Sequence, residues 1–176
     1  MLFSSLTFLY GFLPAVLMAY FLVPGAWKNG VLLLASLLFY AWGEPKYVLL
    51  MIGSILLFYL CGLAMGRAKS EKGRRGFLLL AIAAGVGLLS VFKYADFFIG
   101  SFNAAVGTSI PLLRLALPIG ISFYTFQAVS YLIDIYRRAT PAEQNLVCFG
   151  TYIIMFPQLI AGPIVRYSTV QNEISN

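Results

Sequence analysis

Residues Leu117–Arg138 read LPIGISFYTFQAVSYLIDIYRR, and residues Phe156–Arg166 read FPQLIAGPIVR. Both stretches are apolar, both are interrupted by proline and glycine, and both end in arginine. Irregular backbone at membrane depth is tolerated only where protein or a water-filled cavity satisfies its polar groups. The pair therefore predicts a membrane protein whose second stretch is a broken or re-entrant segment that lines a pathway.

The composition of the whole chain supports a membrane setting. It has 176 residues, of which 61% are hydrophobic and 10% are charged. A soluble domain of this size carries about 25% charged residues. With so few charges the chain cannot cover a water-facing surface, so lipid must surround most of it. We predict an all-α, polytopic transmembrane protein that forms a single membrane domain over residues 1–176.

Apolar runs of different lengths predict about five to six spans, together with short or re-entrant broken segments. Val31–Trp42 is too short to cross as a helix, since twelve residues rise only about 18 Å. It is either the short helix of a hairpin or a re-entrant piece, and the turn signal in Gly43-Glu44-Pro45-Lys46 favours the hairpin. The segment Phe97–Leu113 is patchy and predicts an interfacial or partly inserted piece. The other runs are Leu2–Val23, Tyr47–Met65, Phe77–Phe92, Leu115–Ile133 and Leu146–Val165.

Basic residues cluster in residues 67–75, where Glu71 is the only acidic residue. On a soluble protein such a cluster would suggest nucleic-acid binding, but between two apolar runs it predicts a cytoplasmic loop. When the spans are counted from this cytoplasmic loop, Arg137 and Arg138 also lie on the cytoplasmic side and the N-terminus lies outside. The predicted location is the bacterial inner membrane, with lipid as a partner and without nucleic acid.

Polar residues of Leu115–Arg138 recur at helical spacing, at Tyr124, Gln127, Tyr131, Asp134 and Arg138. Such a stripe either lines a polar cavity or joins helices by hydrogen bonds, and both readings stay open. The predicted tunnel-lining residues are Gln127, Tyr131, Gln158 and Arg166. The predicted residues of a cytosolic mouth are Asp134, Arg137 and Arg138, for which contact with lipid headgroups is the alternative.

The blocks LPIGISFYTFQ, LIDIYRR and FPQLIAGPIVRY, with FYAWGEPKY and FKYADFF before them, resemble the membrane-bound O-acyltransferase family. They are most similar to its bacterial branch of alginate O-acetylation membrane subunits. The resemblance implies a tunnel through the bilayer and transfer of an acyl group, chiefly acetyl, to a hydroxyl of a cell-envelope polysaccharide. It also implies a cytosolic acyl donor, acetyl-CoA or an acyl carrier, and a periplasmic acetyltransferase partner. No bound cofactor or metal is expected.

The hallmark catalytic residue of that family is a histidine, and this chain contains none. Family members are also much longer. We therefore expect the chain to be the N-terminal part of such an enzyme, with no catalytic residue of its own and no activity in isolation. Two other classes remain open: a channel or transporter subunit that uses the same polar stripe, and a non-catalytic accessory or scaffold protein.

Overall fold

The structure, a computed structural model, describes residues 5–162 and 165–174. Those residues form helices, without a β-strand among them, and the longest connection between helices covers residues 107–120. The predicted all-α class is thereby confirmed. The helices are α1 (Phe8–Leu22, which opens with a π-helical turn), α2 (Gly25–Gly43), α3 (Val48–Arg67), α4 (Glu71–Val106), α5 (Ile121–Tyr136), α6 (Leu146–Ile154), α7 (Phe156–Ala161) and α8 (Tyr167–Ile174).

Two helical stretches are long and apolar enough to cross a bilayer, Pro45–Arg67 and Glu71–Val106. Phe8–Leu22 and Leu146–Leu159 are shorter apolar helices. The predicted first span, Leu2–Val23, begins outside the described residues. The structure thus supports insertion of apolar helices into a membrane, while the count of five to six spans stays a prediction.

The short piece predicted at Val31–Trp42 is in fact the larger part of α2, a helix of 19 residues. The helix begins earlier than predicted, at Gly25, and its polar residue Asn29 has hydrogen-bond partners. The side-chain amide of Asn29 donates to the backbone carbonyl of Ile174 at 2.5 Å, and the backbone carbonyl of Asn29 accepts from the Thr151 hydroxyl at 3.0 Å. The predicted turn after Gly43 is present, and a short 3₁₀ turn leads into α3.

The predicted separation of Phe77–Phe92 from Phe97–Leu113 is wrong. Residues 77–92 and 97–106 belong to one continuous helix, α4, of 36 residues, which passes through a π-helical turn at Ser90–Tyr94, whereas residues 108–113 are irregular. At about 1.5 Å per residue it is ~54 Å long, well beyond a hydrocarbon core of about 30 Å. Gly107 ends it in the left-handed conformation, with φ +73°. The charged residues inside the apolar run do not end the helix: Lys93 is exposed, and the Asp96 carboxylate accepts from the backbone amides of Leu113 and Arg114 at 2.7 and 3.0 Å.

Helix α5 is shorter than the predicted span Leu115–Ile133, since it begins at Ile121. Pro118 lies one turn before the helix, where its carbonyl accepts from the Ile121 amide at 3.2 Å. Gly120 stands between them at φ +73°, a conformation that favours glycine. A Cβ at this position would lie 2.7 Å from the Cδ1 atom of Leu159, so glycine also permits close contact with α7.

The core forms where α3 packs against α4 and α5, and where α2 packs against α6. Gly62 and Gly66 on α3 allow this approach. A Cβ at Gly62 would lie 3.3 Å from the ring of Tyr131, and one at Gly66 would lie 2.9 Å from the Cβ of Ala142. The Gly-x-x-x-Gly motif therefore serves packing within the chain. A second cluster, built on Phe8, joins α1 and α2 to α7.

The outer surface of the bundle is apolar, which suits a lipid surround. Only 11% of the apolar window of Glu71–Val106 is buried. Large side chains on its outside include Leu79, Leu80, Val86, Phe97, Phe98 and Phe102. A soluble protein seldom exposes an apolar area of this extent, so the surface agrees with the composition.

Candidate functional site

The last apolar run is broken, as predicted, and the break lies between α6 and α7. The N-cap of α6 is Asn145, whose side-chain oxygen accepts from the Val147 amide at 2.9 Å. Helix α6 stops before Met155, which leaves the helical region at φ −50° and ψ 120°. Pro157 follows in the first turn of α7, where its missing N–H costs no helical hydrogen bond.

The irregular backbone at the break is satisfied by protein. The amide of Phe156 donates to the side-chain oxygen of Ser36 at 3.1 Å, and both groups are buried. Ser36 lies on α2, so the hydrogen bond fixes the break against a different helix. This meets the condition that allows non-helical backbone inside a membrane protein.

The chain after the break returns to the end where α6 began. Gly162 ends α7, and Pro163, the last element of the predicted break, lies outside the described residues. Beyond it, the carbonyl of Val165 accepts from the hydroxyl of Tyr152 at 2.8 Å. At the end of α8 the carbonyl of Ile174 lies within 3.5 Å of the Cys148 sulfur, near the start of α6. Residues 146–162 and 165–174 thus enter and leave at one end of the bundle.

Two of the predicted tunnel-lining residues, Gln127 and Gln158, come together at this break. Gln127 on α5 is 3% exposed, and its side-chain amide donates to the carbonyl of Tyr152 at 2.6 Å. Its side-chain oxygen accepts from the amide of Gln158 on α7 at 3.2 Å. The pair connects α5, α6 and α7 by hydrogen bonds. The geometry therefore shows the interhelical role that was one of the two readings of the polar stripe.

Tyr131, the third predicted residue, lies in an aromatic cluster that includes Tyr152, whose carbonyl accepts from Gln127. Its ring centroid is 5.1 Å from that of Phe149 and 5.1 Å from that of Tyr167, and Tyr152 completes the group. The hydroxyl of Tyr131 accepts from the backbone amide of Glu143 at 2.8 Å. The hydroxyl of Tyr167 donates to the Glu143 carboxylate. The connection before α6 is therefore tied to α5 through the Tyr131 hydroxyl and to α8 through the Tyr167 hydroxyl.

Arg166, the fourth predicted residue, is not part of this group. It is exposed, between Val165 and the first residue of α8, and its carbonyl accepts from the Thr169 amide at 3.1 Å. The break and the polar stripe are thus joined through the two glutamines and the tyrosines, while Arg166 lies at the edge of the returning segment.

The predicted mouth residues lie at one end of the bundle, beside the basic cluster of residues 67–75. Arg138 forms an ion pair with Glu71 at 2.5 Å, although both side chains are largely exposed. Arg137 is exposed. Asp134 is half-buried, and its Oδ2 atom is buried with no hydrogen-bond partner among the described residues. The structure thus brings the basic residues of 67–75 and the pair Arg137 and Arg138 to the same end of the bundle, in agreement with the prediction that they lie on the same side.

Sequence reasoning missed Arg74, which is the strongest link at this end. Its guanidinium donates to the carbonyl of Ile135 at 2.8 Å and to that of Tyr136 at 3.0 Å. These are terminal carbonyls of α5, where a cation is favourable because the helix dipole is negative. The partners are 61 and 62 residues apart in the chain, so no local pattern indicates the contact. The predicted loop is correspondingly short, because α4 already begins at Glu71.

Ser36, Glu143 and Tyr167 were also missed. Each acts through a partner far along the chain or in a connection between helices, as described above. The only local signal lay in the polar character of Ser36 within an apolar run, which predicts a need for a partner but does not identify one.

This arrangement can bind and orient polar groups. It offers amide donors and acceptors from the glutamine pair, phenol hydroxyls and one engaged carboxylate, next to a backbone break inside an apolar bundle. Such groups can hold a carbonyl or hydroxyl by hydrogen bonds. Fold and site together define a helical membrane domain with a broken, returning segment held by buried polar contacts.

Comparison with known proteins identifies relatives over the whole chain. It is 42% identical over 182 residues to the probable alginate O-acetylase AlgI of Pseudomonas syringae pv. tomato and 39% identical over 181 residues to that of Pseudomonas aeruginosa. It is also 32% identical over 205 residues to the peptidoglycan O-acetyltransferase of Helicobacter pylori. All of this chain is covered in each case, against 35%, 35% and 39% of those proteins.

The predicted resemblance to the bacterial alginate O-acetylation branch of the membrane-bound O-acyltransferases is therefore confirmed. The chain spans about a third of the length of the curated relatives it matches. No family model matches the chain, and no solved structure matches it.

Proposed function

We propose that this chain forms part of a membrane O-acyltransferase that passes acetyl groups across the bacterial inner membrane to hydroxyls of a cell-envelope polysaccharide. The observation that carries the proposal is the similarity over the whole chain to alginate and peptidoglycan O-acetylating proteins. The broken segment supports it, because non-helical backbone inside an apolar bundle is typical of segments that line a pathway or cavity.

In this proposal the region between α5 and α7 is one wall of the acyl pathway. Gln127, Gln158 and Tyr131 supply the polar groups of that wall, and Arg166 lies near one end of it. Their present hydrogen bonds keep the wall in place. The glutamine amides would donate hydrogen bonds to the carbonyl of an acyl group in the pathway.

The proposed topology places the end that carries Arg67, Arg74 and Arg138 in the cytoplasm, with the N-terminus outside. The positive-inside rule supports this orientation. Five to six spans fit it, with α6 and α7 as the broken segment. Asp134, Arg137 and Arg138 then lie at the cytosolic mouth, where an acyl donor, acetyl-CoA or an acyl carrier, would arrive. A periplasmic acetyltransferase would receive the acetyl group on the far side.

The 176 residues contain no histidine, so in this proposal they supply structure and not the proton transfer. The test is a chimera in which these residues replace the matching segment of the Pseudomonas aeruginosa relative. In membrane vesicles with labelled acetyl donor, the chimera should transfer label and the isolated chain should not. An inactive chimera that is folded and membrane-inserted would contradict the proposal and favour an accessory role. Transfer by the isolated chain would contradict the absence of a catalytic group.

A further inference from the structure

A cavity of about 480 Å³ opens at the basic end of the bundle. Its charged lining residues are Arg67 from the end of α3, Arg74 from α4 and Arg138 from just after α5. The rest of its wall comes from Gly66, Ile135 and the connection before α6. The volume falls within the roughly 300–1,000 Å³ typical of small-molecule sites. None of its lining residues in the described part of the chain is acidic.

The fold holds one of the three arginines, Arg74, in place at the cavity. Arg74 is fixed because its guanidinium donates to the last carbonyls of α5, as described above. Its Nε atom is buried and has no hydrogen-bond partner among the described residues. The anchored guanidinium keeps its positive charge beside a cavity whose described lining contains no carboxylate.

Arg138 lines the cavity from a position just after α5. Its backbone is left-handed at φ +61°, which is uncommon for a residue other than glycine. Its one carboxylate partner, Glu71, is outside the cavity wall. Arg67 is exposed, and no ion pair of its own is found within residues 5–162 and 165–174. Three cations thus face one space with a single exposed carboxylate near them.

From these observations we propose that the cavity binds a phosphate-bearing ligand through Arg67, Arg74 and Arg138. Guanidinium groups match phosphate oxygens with paired hydrogen bonds, and a phosphate monoester carries about −1.5 to −2 charges, enough to balance several cations. The phosphate can belong to a soluble molecule or to a lipid headgroup, since the cavity lies at the end of the bundle. This inference does not depend on the proposed acyl transfer.

The test uses the full chain in lipid nanodiscs and inorganic pyrophosphate as the probe, followed by titration calorimetry. In nanodiscs of pure phosphatidylcholine the wild-type chain should bind pyrophosphate. Arg67→Gln and Arg138→Asn should each weaken binding by about tenfold or more, the loss expected for a charged hydrogen bond. Asparagine is chosen at residue 138 because it tolerates a positive φ. Arg74 is left intact because its loss also uncaps α5.

Arg75→Gln is the matched control, because it removes the same charge beside Arg74 but does not line the cavity. It should leave binding nearly unchanged. Nanodiscs that contain phosphatidylglycerol distinguish a lipid headgroup from a soluble phosphate. If the lipid competes with pyrophosphate for the wild-type chain, and this competition is lost in Arg67→Gln, the ligand is a lipid headgroup. If phosphatidylglycerol leaves the binding of pyrophosphate unchanged, the ligand is a soluble phosphate. Absence of pyrophosphate binding in pure phosphatidylcholine, or an equal loss in Arg75→Gln, would overturn the proposal.

Discussion

The side chain of Gln158 donates to the side chain of Gln127 at 3.2 Å, so the helix after the break is hydrogen-bonded to a helix 31 residues earlier. Gln127 also donates to the carbonyl of Tyr152 on the helix before the break. A single buried amide therefore connects both sides of the break to α5. The polar stripe and the Pro/Gly break, which are separate in the sequence, form one structural unit.

Replacement of Gln127 by leucine should destabilise this unit. The substitution leaves the buried carbonyl of Tyr152 without its donor and removes the acceptor that Gln158 uses. We expect the free energy of unfolding to fall by about 1–3 kcal/mol. Chemical denaturation in detergent measures it. The control is Phe126→Leu, one position away on the exposed side of α5, which should change little. Equal effects of the two substitutions would contradict the structural role of the glutamine.

Ser36→Ala should loosen the break itself. It removes the acceptor of the Phe156 amide, a buried contact between α2 and the break. Hydrogen exchange followed by mass spectrometry should show faster exchange in the peptide that contains Phe156. The cost to local stability is about 1–3 kcal/mol. Ser101→Ala, at an exposed position of α4, should leave that peptide unchanged. Unaltered exchange in the Ser36 variant would show that the contact does not hold the break.

Two glycine substitutions should have effects of opposite sign. Gly66→Ala places a methyl group 2.9 Å from the Cβ of Ala142, so the connection before α6 must shift and stability should fall. Gly76→Ala meets no atom within 4 Å and replaces a poor helix former inside α4, so stability should rise by up to about 1 kcal/mol. Thermal unfolding in detergent compares them. A Gly66→Ala variant that is as stable as Gly76→Ala would contradict the close packing at Gly66.

The two arginines at the basic end should differ in their contribution to stability. Arg74→Met removes two charged hydrogen bonds to the end of α5 and should cost about 1.5–3 kcal/mol. Arg138→Met removes an ion pair between two exposed side chains and should cost less than about 1 kcal/mol. Denaturant unfolding at low and high salt distinguishes them, since only the exposed pair is screened. A larger loss for Arg138 would contradict this ranking.

Local patterns predicted the helical class, the turn after Gly43, the broken last run and the common end of the arginine clusters. These follow from apolar run length, proline and glycine positions and loop charge, all of which act over a few residues. The same reasoning failed at α4, where it separated Phe77–Phe92 from Phe97–Leu113 although Lys93 and Asp96 between them do not end the helix. Charges end a span only if they cannot reach water or a partner, and that depends on which side of the helix is exposed.

The candidate site could be predicted only in part. Gln127 and Gln158 were recognised because a polar side chain in an apolar run requires a partner. Their mutual contact, and the roles of Ser36 and Arg74, depend on how helices distant in sequence pack. Asn29 shows the same limit, because its partner Ile174 is 145 residues away in the chain and no local pattern indicates the contact.

The central claim, that this chain is a working part of an O-acetyltransferase, is tested most directly by the O-acetyl content of alginate made in cells. The host is a Pseudomonas aeruginosa strain whose own O-acetylase carries these 176 residues in place of its matching segment. Our account predicts acetylated alginate from this chimera and none from a control that lacks the segment. Unacetylated alginate from a chimera that is present in the inner membrane at wild-type level would contradict it.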